Sequence, residues 1–133
     1  MLIHFYQFFN RFKSTSAWKN KLLTIPLGTA TIINLAIWLL IYFKFYPAVY
    51  SLPQEQSYIP LHYNIYTGID LFGSWQRIFI WPTIGLIILI INLILAIVLY
   101  DKKEIISYLL SFAAVFVQIF LLIATMLTIL INI

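Results

Sequence analysis

The stretch IFIWPTIGLIILIINLILAIVLY (Ile78–Tyr100), the link DKKE (Asp101–Glu104) and the stretch IISYLLSFAAVFVQIFLLIATMLTILINI (Ile105–Ile133) decide the fold. Neither long stretch carries a charged side chain. Each meets the length that an apolar helix needs to cross the hydrocarbon core of a bilayer, about 20 residues. The link between them is so short that the two helices must be antiparallel neighbours. Upstream, Ile25–Phe43 is a third uncharged run of spanning length. The chain has 133 residues, of which 63% are hydrophobic and only 9% charged. Its mean hydropathy is +0.98. A soluble domain of this size leaves too much of its surface wet to hide that much apolar area. The expected class is an all-α membrane protein: a three-helix transmembrane bundle with an N-terminal interfacial helix and an extracytoplasmic loop between helices one and two.

The formal net charge of +4 points to the membrane surface rather than to nucleic acid. Arg11, Lys13, Lys19, Lys21, Lys102 and Lys103 lie before the first span or between the second and third. Only Lys44 and Arg77 fall near the other side. By the positive-inside bias, the N-terminus is expected in the cytoplasm and the C-terminus outside. The chain contains no cysteine, which excludes disulfides, thiolate nucleophiles and Cys-based metal centres. The first span is too long for a signal-peptide core and no small-x-small site follows it, so it reads as a retained helix.

Residues 1–21 form the expected cytoplasmic segment. Leu2, Phe5, Phe9 and Phe12 recur at helical spacing opposite polar Gln7, Asn10 and Arg11, the pattern of a helix lying among head groups. The first transmembrane helix is expected over 24–46, with Pro26 in its first turn and Pro47 ending it. The outer loop covers 47–78, the second helix 79–100, the cytoplasmic turn 101–104 and the third helix 105–131. Within the loop, Pro53, Pro60, Gly68 and Gly73 predict an extended segment, a turn near Thr67-Gly68, and a short amphipathic piece (DLFGSWQRIF) returning to the membrane.

Lipid is as apolar as leucine, so small and polar residues must hold the helices together. At 100° per residue, Ser107, Ser111, Ala114, Gln118, Thr125 and Asn132 share a stripe roughly 60° wide on helix three. Gly85, Asn92 and Ala96 share one on helix two. On helix one, Thr24, Gly28 and Thr31 cluster, with Asn34 about 60° to the side. At ~1.5 Å per residue, Asn34, Asn92 and Gln118 reach similar depths, so the three amides are expected to meet as packing contacts. No acidic or basic side chain lies mid-span, which argues against a proton relay or ion-coupled transporter.

The loop carries Pro60, His62, Tyr63, Asn64, Gly68, Asp70, Gly73 and Ser74. In these residues the chain resembles a bacterial membrane domain of unknown function found in Sdp-type toxin-immunity proteins. That family's signature is Pro-x-His-aromatic-Asn, then Gly, Asp and Gly-Ser, outside between the first two helices. Gly68 stands one position later than the family would have it, and the polar residue and proline that usually precede the Asp are missing. The resemblance covers about 25–100. It implies a multi-helix protein of the bacterial plasma membrane, sometimes tied to immunity or signal reception, with no established chemistry for the motif.

Read from the residues alone, His62 and Asp70 can face one another, the carboxylate fixing the imidazole tautomer. Either the two form a site for an external peptide or metal, or His62, Asn64 and Asp70 bond the loop's own backbone. The second reading is favoured. One His and one Asp are too few ligands for a tight zinc site. No nucleophile elbow, His-Glu-x-x-His, phosphate loop or paired intramembrane aspartates occur, so no enzyme and no cofactor is expected. The expected function is interaction, as an accessory subunit or scaffold with a membrane-protein partner or a second copy. The alternative is an immunity or signal-receiving protein that binds an extracellular peptide.

Overall fold

The first helix opens on Asn20, whose side-chain oxygen accepts the Leu22 backbone N–H at 2.9 Å. This is the N-cap arrangement that satisfies an otherwise orphaned donor of the first turn. In the computed structural model, which describes Tyr6, Asn10, Phe12 and residues 14–50 and 58–133, helix α1 runs from Lys21 to Tyr50. Strands β1 (Tyr58–Asn64) and β2 (Gly68–Ser74) follow as an antiparallel hairpin. A 3-10 turn (Trp75–Phe79) leads into α2 (Ile80–Leu99), and α3 (Glu104–Asn132) closes the chain. All three helices are long and apolar enough to cross a membrane, as a multi-pass membrane protein requires. The interfacial helix expected at the N-terminus lies for the most part outside the described residues.

Two expected boundaries shift. Because α1 begins at Lys21, Pro26 sits in its second turn rather than its first. Pro47 does not end the helix, which continues to Tyr50. Residues Ile41–Phe45 form a π turn, in which the Tyr46 N–H reaches back to the Ile41 carbonyl. Proline normally collides with the carbonyl four residues before it. The wider turn just ahead of Pro47 makes room for the ring. The loop differs more. The half expected to return as an amphipathic piece divides at Ser74, with DLFGS in β2 and WQRIF in the 3-10 turn.

Helix α3 packs along both α1 and α2. Its buried face is Ser107, Ser111, Ala114, Gln118, Thr125 and Thr128. Every one is small or polar, so backbones approach closely, as packing within lipid demands. On α1 the buried line is Leu23, Leu27, Ala30, Asn34, Ile37, Ile41 and Phe45. The expected cluster of Thr24, Gly28 and Thr31 does not form the interface: Gly28 and Thr31 face outward. Thr31 donates to its own Leu27 carbonyl at 2.9 Å, so its hydroxyl needs no partner helix. Asn34 turns inward instead and bonds across the interface.

The apolar core divides in two. One cluster joins Leu23, Leu27 and Ala30 to Leu89, Ala96, Ile97 and Ala114. The other joins Ile37, Ile41, Phe45 and Val49 to Ile59, Leu61 and Ile78, and so includes the hairpin. Between them lies a buried amide layer. The Asn34 amide donates to the Gln118 side-chain oxygen and to the Pro82 carbonyl, each at 3.1 Å. The Gln118 amide donates to the Gly85 carbonyl at 2.7 Å. A Cβ on Gly85 would stand 2.8 Å from the Gln118 oxygen and 2.9 Å from the Asn34 nitrogen, so only glycine leaves room for the layer. Asn92 does not join it. Its amide donates to the Ile88 carbonyl of its own helix at 3.0 Å.

Candidate functional site: the hairpin and its seat on helix three

The hairpin follows from local turn chemistry. The Asn64 side-chain oxygen accepts the Tyr66 backbone N–H at 2.9 Å, an Asx turn that starts the reversal. Gly68 ends it at φ +77°, a left-handed conformation that glycine adopts without a Cβ penalty. Pro60 lacks an N–H, and a two-stranded sheet has an open edge on which that omission costs little. Ser74 is the last residue of β2 and precedes the 3-10 turn.

Pairing then places the chemistry. Pro60 pairs with Phe72, and Tyr63 with Ile69, while the register slips between them and returns. Irregularities of this kind re-aim side chains. Here the His62 Nδ1 and an Asp70 carboxylate oxygen lie 2.6 Å apart. Both side chains are exposed, at 56% and 38%. With the carboxylate ionised and the imidazole neutral, the contact requires the proton on Nδ1, which leaves Nε2 as an acceptor. Among the described residues, no third His, Asp or Glu joins them in a group able to hold a metal ion.

Seating of the hairpin is nonlocal. Ile59 and Leu61 are buried in the second apolar cluster. Gly73 permits this, because a Cβ there would stand 2.7 Å from Leu61 Cδ1 and 3.1 Å from Arg77 Cδ. The Asn132 amide donates to the Pro60 carbonyl at 2.7 Å, and the Thr128 hydroxyl to the Leu61 carbonyl at 3.3 Å. The last turns of α3 thus bond the backbone of β1. Asn132 lies on the packing stripe expected from the sequence, whereas Thr128 is not among its expected members. The only available signal was Thr128's spacing of three residues beyond Thr125.

The motif therefore separates into two kinds of residue. Pro60, Asn64, Gly68 and Gly73 shape and seat the hairpin. His62, Tyr63 and Asp70 are displayed, together with Tyr58, Ile65, Tyr66 and Phe72, which are all more than half exposed. The favoured expectation that His62, Asn64 and Asp70 all serve the loop's backbone holds for Asn64; His62 and Asp70 pair with each other instead.

The opposite end of the bundle holds a second polar cluster that sequence reasoning missed. The Asn20 amide donates to the Tyr100 hydroxyl at 2.6 Å and to the Tyr108 hydroxyl at 2.7 Å. Both tyrosines donate on to Glu104. The Thr15 hydroxyl reaches Asp101 at 3.1 Å. Ser111, expected on the packing face, is buried there and donates to the Tyr108 carbonyl at 2.8 Å. These contacts tie the α2–α3 turn to the start of α1.

No family model matches the chain, and neither a curated protein nor a solved structure shows significant similarity to it. The geometry defines a multi-pass, three-helix membrane protein with a β-hairpin bonded to the last turns of α3 at one end.

Proposed function

We propose that this is a non-enzymatic integral membrane protein that acts through interaction, as an accessory subunit or scaffold of a membrane complex. The hairpin is its recognition surface; the charge bias supports an outer position for it, and the resemblance of its motif supports a bacterial plasma membrane. One observation carries this reading: the hairpin is anchored to α3 by Thr128 and Asn132 while it displays Tyr58, Tyr63, Ile65, Tyr66 and Phe72. Exposed aromatics on an anchored hairpin suit an interface, since holding their backbone in place lowers the entropy lost on binding.

The exposed His62–Asp70 pair supports a second reading, an immunity or signal-receiving protein that binds an extracellular peptide. A peptide amide or hydroxyl is a donor suited to the remaining imidazole nitrogen.

A photo-crosslinking residue in place of Tyr66, in intact cells, distinguishes the readings. A discrete adduct with a membrane protein, matched by a defined complex after mild extraction, supports the first. An adduct only with added peptide supports the second. A monodisperse monomer across several detergents with no adduct removes both.

A further inference from the structure

Between the hairpin and α3 lies a cavity of about 290 Å³, lined chiefly by Leu61, His62, Trp81, Leu127, Thr128 and Leu130. Its lining combines two chemistries. Leu127 and Leu130 belong to a helix of spanning length and are 55% and 74% exposed, so the apolar wall continues the surface that α3 presents to lipid. The polar part of the lining is His62, with Nδ1 engaged by Asp70 and one ring nitrogen left over. Trp81 joins the lining near the start of α2, and tryptophan prefers the level of the head groups. Thr128 is buried and its hydroxyl is already committed to the Leu61 and Ala124 carbonyls, so it adds no unmet polar demand to the apolar part.

We propose that this cavity is a lipid site. One acyl chain of a bilayer phospholipid lies along Leu127 and Leu130 beneath the hairpin, and its head group donates a hydrogen bond to His62. Continuity with the lipid-facing surface of α3 selects the occupant. In a bilayer an open apolar groove at this level meets acyl chains rather than water, and leaving it empty forfeits dispersion contacts along its walls. The remaining imidazole nitrogen selects the head. With Asp70 holding the proton on Nδ1, Nε2 accepts, which favours an ethanolamine or glycerol head over choline, which has no N–H or O–H to donate. The site shares His62 and Tyr63 with the hairpin's displayed surface, while Tyr58, Ile65, Tyr66 and Phe72 lie outside its lining, so it is compatible with a protein partner on those side chains and competes with a peptide for the same imidazole nitrogen.

The test uses the full chain in vesicles that contain a phosphatidylethanolamine with a photoactivatable group in its acyl chain, and maps the adducts by mass spectrometry. Leu127, Leu130 and Trp81 are expected to label several-fold more than Phe116 and Phe120, which α3 also exposes to lipid but away from the cavity. Ala124→Phe or, independently, Ile131→Trp fills the space and is expected to remove the excess while leaving Phe116 and Phe120 labelled. His62→Ala is expected to keep the chain label but to abolish the stronger competition by unlabelled ethanolamine lipid over choline lipid. Hydrogen exchange at the hairpin amides identifies variants that remain seated, and only these are compared. Uniform labelling along α3, or excess labelling that both filled variants retain, overturns the proposal. Uniform labelling in a protein whose Tyr66 crosslink persists leaves the interaction reading untouched.

Discussion

Gln118 shows what a single amide does when its depth and its direction on the helix are both right. It is fully buried, accepts from Asn34 and donates to the Gly85 carbonyl. Interhelical bonds of this kind contribute about 0.6–2 kcal/mol each within a membrane. Gln118→Leu is therefore expected to lower stability by about 1–3 kcal/mol in a reversible unfolding assay in mixed micelles. Asn92→Leu should change it by less than about 0.5 kcal/mol, because among the described residues the Asn92 amide serves only its own helix. Equal losses in the two variants would refute the asymmetric layer. Thr125 presents the opposite case: its hydroxyl is buried without a hydrogen-bond partner among the described residues. Replacing an unsatisfied hydroxyl with a methyl group removes a desolvation cost, so Thr125→Val should be neutral or stabilise by up to about 1 kcal/mol in the same assay. A clear loss would mean that a water or backbone partner occupies the site. The displayed His62 and Asp70 form an exposed pair, and such pairs contribute about 0–1 kcal/mol. His62→Ala and Asp70→Ala proteins should accumulate in the membrane at normal levels while any hairpin-dependent binding falls. If both proteins disappear from membrane fractions, the pair is a folding element.

At the level of elements, the hairpin depends on α3 as much as on its own turn. An isolated two-stranded hairpin is marginally stable in water. Here Ile59 and Leu61 enter the bundle, and Asn132 and Thr128 bond β1 from the side. A side chain at Gly73 would strike Leu61 and the Arg77 stem. Gly73→Val is expected to unseat the hairpin, and Thr128→Val with Asn132→Leu to loosen it. In both, amide exchange between Tyr58 and Ser74 should rise at least tenfold, while exchange in α2 stays slow. Unchanged protection at the hairpin would show that the strands stand without α3. The turn near Thr67–Gly68 is legible in the sequence, because Gly68 acts on neighbouring backbone. The returning strand is not. DLFGS carries no alternation strong enough to signal β structure, and its pairing comes from β1 across the turn and from Gly73 beneath Leu61.

Over the whole molecule, one end is tied by the hairpin and the other by Asn20, Tyr100, Tyr108 and Glu104, with the amide layer between. Asn20 both caps α1 and bonds the tyrosines, so its loss should act at a distance. Asn20→Ala is expected to speed amide exchange through the Tyr100–Lys103 turn as well as in the first turn of α1. A change confined to α1 would show that the tyrosine contacts carry no restraint.

The three spans, the antiparallel pairing of α2 with α3 and the small, polar face of α3 are legible in the order of residues. Each is a local matter of transfer from water to lipid or of helical period, readable one segment at a time. A turn near Thr67–Gly68 is legible in the same way. Packing between the elements settles which way each helix face points, so that Asn34 turns inward while Gly28 and Thr31 meet the surroundings, and Asn92 drops out of the amide layer. The tertiary structure alone carries α1 past Pro47, pairs His62 with Asp70, and sets the hairpin on Thr128 and Asn132. The physical reason is common to all of these. Depth along a helix follows from counting residues, but direction around its axis and pairing between segments depend on which partners can satisfy a buried amide or carbonyl.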